Sequence, residues 1–170
     1  MRSDNDELAD LASASPAVAE ETDELSEQLL LVFRTGQRWF AIDPHRVHEV
    51  VVRGPVTQIP TAPSHVLGLS LVRGRLIPVI SLQTLLAHRA DGDPAQTLPR
   101  MIVLRVDGLE VALVCDETRG ILAIRGRDAS DVKSGRPRCV SGELQWSGKL
   151  LLVLDATEIV RSAMDGPEAG

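Results

Sequence analysis

His45 and His48 stand three residues apart and are the nearest this chain comes to a metal-binding pair. A metal site at that spacing needs a third ligand and a helix to present the rings, but no third ligand lies nearby and Pro44 argues against the helix. No metal site is expected. Cys115 and Cys139 have no CxxC company and make no disulfide framework. Cys115 ends an apolar strand pattern and reads as a core thiol. No GxSxG elbow or phosphate-binding loop occurs, and the glycines follow hairpin turns instead. Asp116, Glu117 and Asp155 fall at strand or helix ends, where carboxylates cap and turn. Without a nucleophile, base or metal cluster, the chain reads as a binding module. No cofactor and no enzymatic activity are expected.

Two residues carry the remaining chemistry. Glu49 lies inside the Val-rich run at 47–52, where a lone carboxylate is out of place unless it faces water or a cation. Arg73 precedes Gly74 at a hairpin tip, where Asn or Asp is the commoner turn residue. An ion pair between them explains both. Its use would be to aim the Arg73 fork at a partner's carboxylate or backbone carbonyls. An ordinary surface arginine and a solvated glutamate stand as the plain alternative.

The elements that must hold this pair repeat. Residues 68–86 (GLSLVRGRLIPVISLQTLL) and 142–160 (GELQWSGKLLLVLDATEIV) align at an offset of 74, with Gly68 on Gly142, Gly74 on Gly148 and Ser81 on Asp155. Each copy predicts a strand, a tight Gly turn, an apolar strand and a short helix. A fainter echo maps Gly36 to Gly108 at an offset of 72. Strands are expected at 29–35, 39–42, 47–52, about 57–59, 66–72, 75–80, 101–106, 109–115, 118–124, 140–146 and 149–154. Asp107–Gly108 signals a type I′ hairpin, and Asp155 an N-cap. Short strands with regular turns and no βα alternation predict an all-β chain of barrels or a sandwich. Two small β-subdomains, about 29–88 and 100–162, fit the repeat, each too small to bury a large core alone.

The charge is unevenly spread. The net charge is −6, but residues 1–28 hold nine acids and one Arg, a balance of −8, and the rest is at +2. Residues 1–28 read as a disordered acidic leader, 29–164 as the folded domain and 165–170 as a flexible tail. The folded part is neither basic nor aromatic enough for nucleic acid. The longest apolar run falls far short of a membrane span, and the acidic start lacks a signal-peptide pattern, so a cytoplasmic location is expected.

The order LLLVFRTGQRWFAID, VHEVV, IPTAPSHVLGLSLVRGRLIPVISL, then VALVCDETRGIL and GKLLLVLD resembles the CheW family of chemotaxis coupling proteins over roughly residues 29–162. The resemblance implies two intertwined five-stranded SH3-like β-barrels sharing a hydrophobic seam. It implies a non-enzymatic adaptor that bridges the cytoplasmic helical tip of a chemoreceptor to the regulatory domain of a CheA-type histidine kinase, with further CheW-like proteins as partners in arrays. The matching binding positions are Val47, Glu49, Gly68, Arg73, Gly74, Ile121 and Gly142. Val47 and Ile121 would wall a receptor groove. The chain departs from the family's usual residues at Leu71, Ser81, Gln83 and Thr118. A divergent adaptor that keeps only the receptor or only the kinase, in a non-flagellar pathway, is the alternative expectation; a small-molecule-binding barrel or barrel enzyme is a further one.

Overall fold

The computed structural model describes residues 26–86, 98–126 and 137–165. The leader through residue 25, most of the connector at 89–99, the loop between 126 and 137 and the tail from 166 lie outside the described residues. Strands are β1 Ser26–Thr35, β2 Arg38–Ile42, β3 Val47–Val52, β4 Val56–Thr57, β5 Val66–Val72, β6 Arg75–Ile80, β7 Arg100–Val106, β8 Leu109–Cys115, β9 Glu117–Gly126, β10 Val140–Trp146 and β11 Lys149–Leu154. Among the described residues the α-helices are α1 Leu82–Leu85 and α2 Ala156–Met164, and Pro44–Arg46 form one short 3-10 turn. The repeat position Ser81/Asp155 caps both of them: Ser81 Oγ accepts from Thr84 N, and Asp155 Oδ1 from Thr157 N and Glu158 N.

Tight turns follow from glycine. In Arg73–Gly74, Asp107–Gly108 and Ser147–Gly148 both residues have positive φ, from 48° to 80°, the backbone of a type I′ turn. Each turn closes a hairpin whose register it sets, such as Leu71 opposite Leu76 and Arg105 opposite Glu110.

Two sheets result, in the orders β10-β11-β2-β1-β9 and β3-β7-β8-β6-β5-β4. Each takes strands from both halves of the chain. β11 runs parallel to β2 with Val153 opposite Ala41, and β6 runs parallel to β8 with Val79 opposite Ala112. The barrels are therefore intertwined, as expected. The second sheet has a sixth strand, the short edge strand β4.

Period-two alternation sorts the core into three parts. Leu30 and Val32 of β1 and Trp39 and Ala41 of β2 fill the first barrel with Ile124, Leu144 and Leu151. Met101, Val103, Ala112 and Val114 fill the second with Val72, Ile77 and Val79. The intervening residues of the same strands, including Phe33, Phe40, Ile102, Leu104 and Leu113, meet between the sheets in a shared seam. Ile159 and Val160 of α2 close that seam from outside. Each fully buried Leu, Ile or Phe contributes about 1.5–3 kcal/mol there. Cys115 and Cys139 belong to the seam as free thiols, and burial pushes their pKa values up to about 12 and about 11.

Several boundaries differ from expectation. β1 begins at Ser26 rather than Leu29, because Ser26–Gln28 pair with the far end of β9. β4 sits at Val56–Thr57 rather than 57–59, and pairs there with Leu69 and Ser70. The echo between the first hairpins is one residue out. The parallel pairings place Ala41 on Ala112, an offset of 71, and turn Gly36–Gln37 on turn Asp107–Gly108. Thr35 then matches Val106, and both are buried.

Two substitutions test this packing. Gly68 marks a bulge in β5, has φ 148°, and a Cβ there would lie 2.1 Å from the carbonyl oxygen of Thr57. Gly68→Ala is expected to cost about 2–4 kcal/mol in urea unfolding, because backbone must move. The Thr35 hydroxyl is buried without a hydrogen-bond partner among the described residues. Thr35→Val, which installs the residue of the matching position, is expected to stabilise by about 1 kcal/mol in the same assay.

Candidate functional site

The bulge in β3 is where the site begins. Between Val47 and Glu49 the register with β7 shifts, so His48 is left out of the ladder and neighbouring side chains are re-aimed. Glu49 Oε2 accepts from Arg73 Nε at 2.5 Å, joining β3 to the tip of the β5–β6 hairpin, two elements that share no ladder. The expected pair is present. Arg73 is 72% exposed at its side chain and Glu49 only 15%. The inner carboxylate thus holds the outer guanidinium by one nitrogen and leaves its terminal nitrogens facing outward.

Three arginines and two carboxylates form the full cluster. Arg75 Nη2 reaches Glu49 Oε1 at 3.4 Å while its Nε donates to Glu110 Oε2 at 2.9 Å. Arg105 donates to Glu110 Oε1 through Nη2 at 2.5 Å and through Nε at 2.9 Å. Arg105 Nη2 also stands 3.2 Å from His48 Nε2. An arginine only donates, so His48 Nε2 is the acceptor in that contact. The hydrogen bond from Arg73 holds the Glu49 carboxyl below its usual pKa, helped by the charges of Arg73 and Arg75. Burial pushes Glu110 up, but the hydrogen bonds from Arg105 and Arg75 outweigh it and the net shift is down.

Arg75, Arg105 and Glu110 were not singled out from the sequence. One signal for them was available: a two-residue turn at Asp107–Gly108 necessarily sets Arg105 opposite Glu110. The link from Arg75 to Glu49 has no such signal, since it depends on how β3 meets the β5–β6 hairpin.

The seven expected positions do not form one cluster. Glu49, Arg73 and Gly74 come together, with Val47 at the start of the same strand, half-buried against the seam. Gly68 packs its backbone against Thr57 further down the hairpin. Ile121 lies in the other sheet, opposite Leu31 and 58% exposed. Gly142 is there too, opposite Val153. Asp116 and Glu117 serve the β1–β2 turn: Asp116 Oδ2 accepts from Gly36 N at 2.6 Å, and Glu117 Oε1 from Arg34 Nε at 3.2 Å. Among the described residues no group of three His, Cys, Asp or Glu could hold a metal ion, and no helix is long and apolar enough to cross a membrane.

The model of the CheW-like domain matches residues 29–164, the span of both barrels. The chain belongs to the CheW-like domain family. It is 28% identical to the chemotaxis protein CheW of Thermotoga maritima over 140 residues, which cover 81% of this chain and 91% of that one. It is 27% identical to the chemotaxis protein CheW of Rhizobium meliloti over 137 residues, 78% of this chain and 87% of that one. The crystal structure of scaffolding protein TtCheW from Thermoanaerobacter tengcongensis has the same fold, with a TM-score of 0.63 and 23% identity, over 76% of this chain and 90% of that chain. The fold class is thus an all-β CheW-like pair of SH3-like barrels, and the family is one of chemotaxis scaffolds.

The cluster of this CheW-like domain carries a pH signature. Glu49 and Glu110 both have folded pKa values below the ordinary glutamate value. Such groups contribute stability that is present above the unfolded pKa and lost as pH falls through the folded one. The wild type is therefore expected to lose stability as pH drops from about 7 toward about 3, and Glu49→Gln/Glu110→Gln to lose less over that range. Urea midpoints along a pH series check this; parallel curves for the two proteins would contradict it.

Proposed function

We propose that this chain is a non-enzymatic adaptor that couples the cytoplasmic helical tip of a chemoreceptor to a CheA-type histidine kinase. The observation that carries the reading is the Glu49–Arg73 pair. Glu49 binds Arg73 through Nε alone, so the exposed fork keeps donors for a partner's carboxylate or carbonyl oxygens. The β5–β6 hairpin adds apolar contact beside it, with Leu71 and Leu76 opposite one another and 65% and 68% exposed. Ile121 offers a separate apolar position on the other sheet. Two separated surfaces suit a protein that must hold two partners at once, and repeated contacts in an array add strength that no single contact has. A cytoplasmic location follows from these partners.

The accessory reading, in which one contact is lost, draws on one observation. Leu71 stands where the family usually has Asn, so the hairpin face lacks one polar group that a partner of other members would meet.

The test is co-sedimentation with receptor-containing membranes and, separately, with the cognate CheA-type kinase. Arg73→Asn is the informative variant, because Asn before Gly suits the type I′ turn and removes the fork. Wild type is expected to bind both partners, and Arg73→Asn to weaken capture of one of them about tenfold while unfolding no more easily. Capture of one partner only by the wild type would establish the accessory reading. Capture of neither would overturn both.

A further inference from the structure

The two sheets carry the same frame with different chemistry at the matching ends. The parallel pairings align β2 with β8 and β11 with β6, and so place Trp39 on Glu110, Lys149 on Arg75 and Ser147 on Arg73. The bulges align as well. Arg119, skipped between Thr118 and Gly120, matches His48, and Gly120 matches Glu49. In the first sheet the Trp39 ring takes the central place. Lys149 Nζ lies 4.7 Å and the Arg119 guanidinium 5.3 Å from its centroid, and Trp146 packs edge-on at 5.3 Å. In the second sheet that place is taken by the Glu110 carboxylate, 11% exposed and held by Arg75 and Arg105.

The fold therefore accepts an aromatic ring at this position and has no need of a carboxylate there. Burying a carboxylate is costly unless cations satisfy it, so Glu110 requires a reason that packing does not supply. The second sheet alone has the Glu49–Arg73 pair, since Gly120 and Ser147 stand at the matching positions of the first. Arg75 joins the two facts, with Nε on Glu110 and Nη2 turned to Glu49. We propose that Glu110 is a positioning residue for Arg73: it fixes the Arg75 fork, which steadies the Glu49 carboxylate, which in turn holds Arg73 Nε. Glu110 is itself only 11% exposed, so it acts through Arg75 and Glu49. Its consequence for capture rests on the coupling reading above, but its action on Arg73 does not.

Nitrogen-detected spectra of the arginine Nε–H groups test the chain of contacts directly. In wild type the Arg73 Nε–H is expected to be resolved and slowed in exchange with water. In Glu110→Gln its resonance should move toward free arginine and its exchange should quicken. Arg75→Lys should do the same, because a lysine has no fork to span two carboxylates, and it serves if Glu110→Gln folds poorly. Capture of the Arg73-dependent partner should weaken roughly three- to tenfold, the size of a coupling passed through an intermediate side chain, and the double variant with Arg73→Asn should capture no less than Arg73→Asn alone. An Arg73 Nε–H unchanged in both folded variants would overturn the positioning role, whatever capture does. A loosened Arg73 in a protein whose wild type captures neither partner would uphold the role and sink the coupling reading.

Discussion

Two parallel strand pairings hold this molecule together: β6 beside β8 and β11 beside β2. Each carries the last hairpin of one half of the chain onto the first hairpin of the other. Neither half can then complete its own sheet. The four strands β1, β2, β7 and β8 end up covered on both faces, by a barrel interior on one side and the seam on the other. Strands covered on both faces need apolar residues throughout, which is why β7 and β8 are nearly continuous runs of buried aliphatics rather than alternating ones. The same constraint explains how four aromatics suffice for 170 residues. Phe33 and Phe40 stack in the seam with ring centroids 5.6 Å apart, where both sheets contribute packing partners.

With the frame set by exchange, its ends are free to differ. The hairpin tips Arg73–Gly74, Asp107–Gly108 and Ser147–Gly148 are exposed, so substitution there does not disturb the packing that closes the sheets. The Arg73 tip pays a small backbone strain, a non-glycine residue at φ 48°, that Asp107 and Ser147 also carry in their own turns. What distinguishes the Arg73 tip is its surroundings. Its anion is supplied by an edge strand, β3, which alternates exposed and half-buried residues because it has water on one face. A site assembled from an edge strand and a turn is reachable by a partner without opening either barrel.

Much of this was legible in the sequence, for reasons specific to each element. The hairpins at 66–80 and 140–154 were readable to the residue, because a Gly turn and two apolar strands leave one register. The cap at Asp155 was readable as a polar residue before a helical pattern; that Ser81, its match in the repeat, caps likewise is seen only in the structure. The Glu49–Arg73 pair was readable as two residues out of place for their local structure. The exchange between halves was not, apart from the family resemblance, since alternation shows which face a residue takes and not which strand lies alongside. The one-residue error in aligning Gly36 with Gly108 has the same origin: both glycines sit in turns, but Gly36 is the first turn residue and Gly108 the second. The remainder of the ion cluster was hidden because Arg75 and Glu49 meet only after β3 folds against the β5–β6 hairpin.

The departure at Leu71 bears on whether the hairpin still serves as an interface. A surface released from binding tends to lose exposed apolar groups, because contiguous exposed apolar area invites association. Here Leu71 faces Leu76 across the hairpin, and Leu76 lines a groove with Pro78, Leu109 and Met164 beside Arg75 and Arg105. Leu71, Leu76, Leu109 and Met164 are all between about half and two-thirds exposed. An apolar centre with an arginine-rich rim is the arrangement of an interface core and its border. Leu71, opposite Leu76, enlarges that centre. Exposed apolar area of this extent is costly on a face that meets nothing but water.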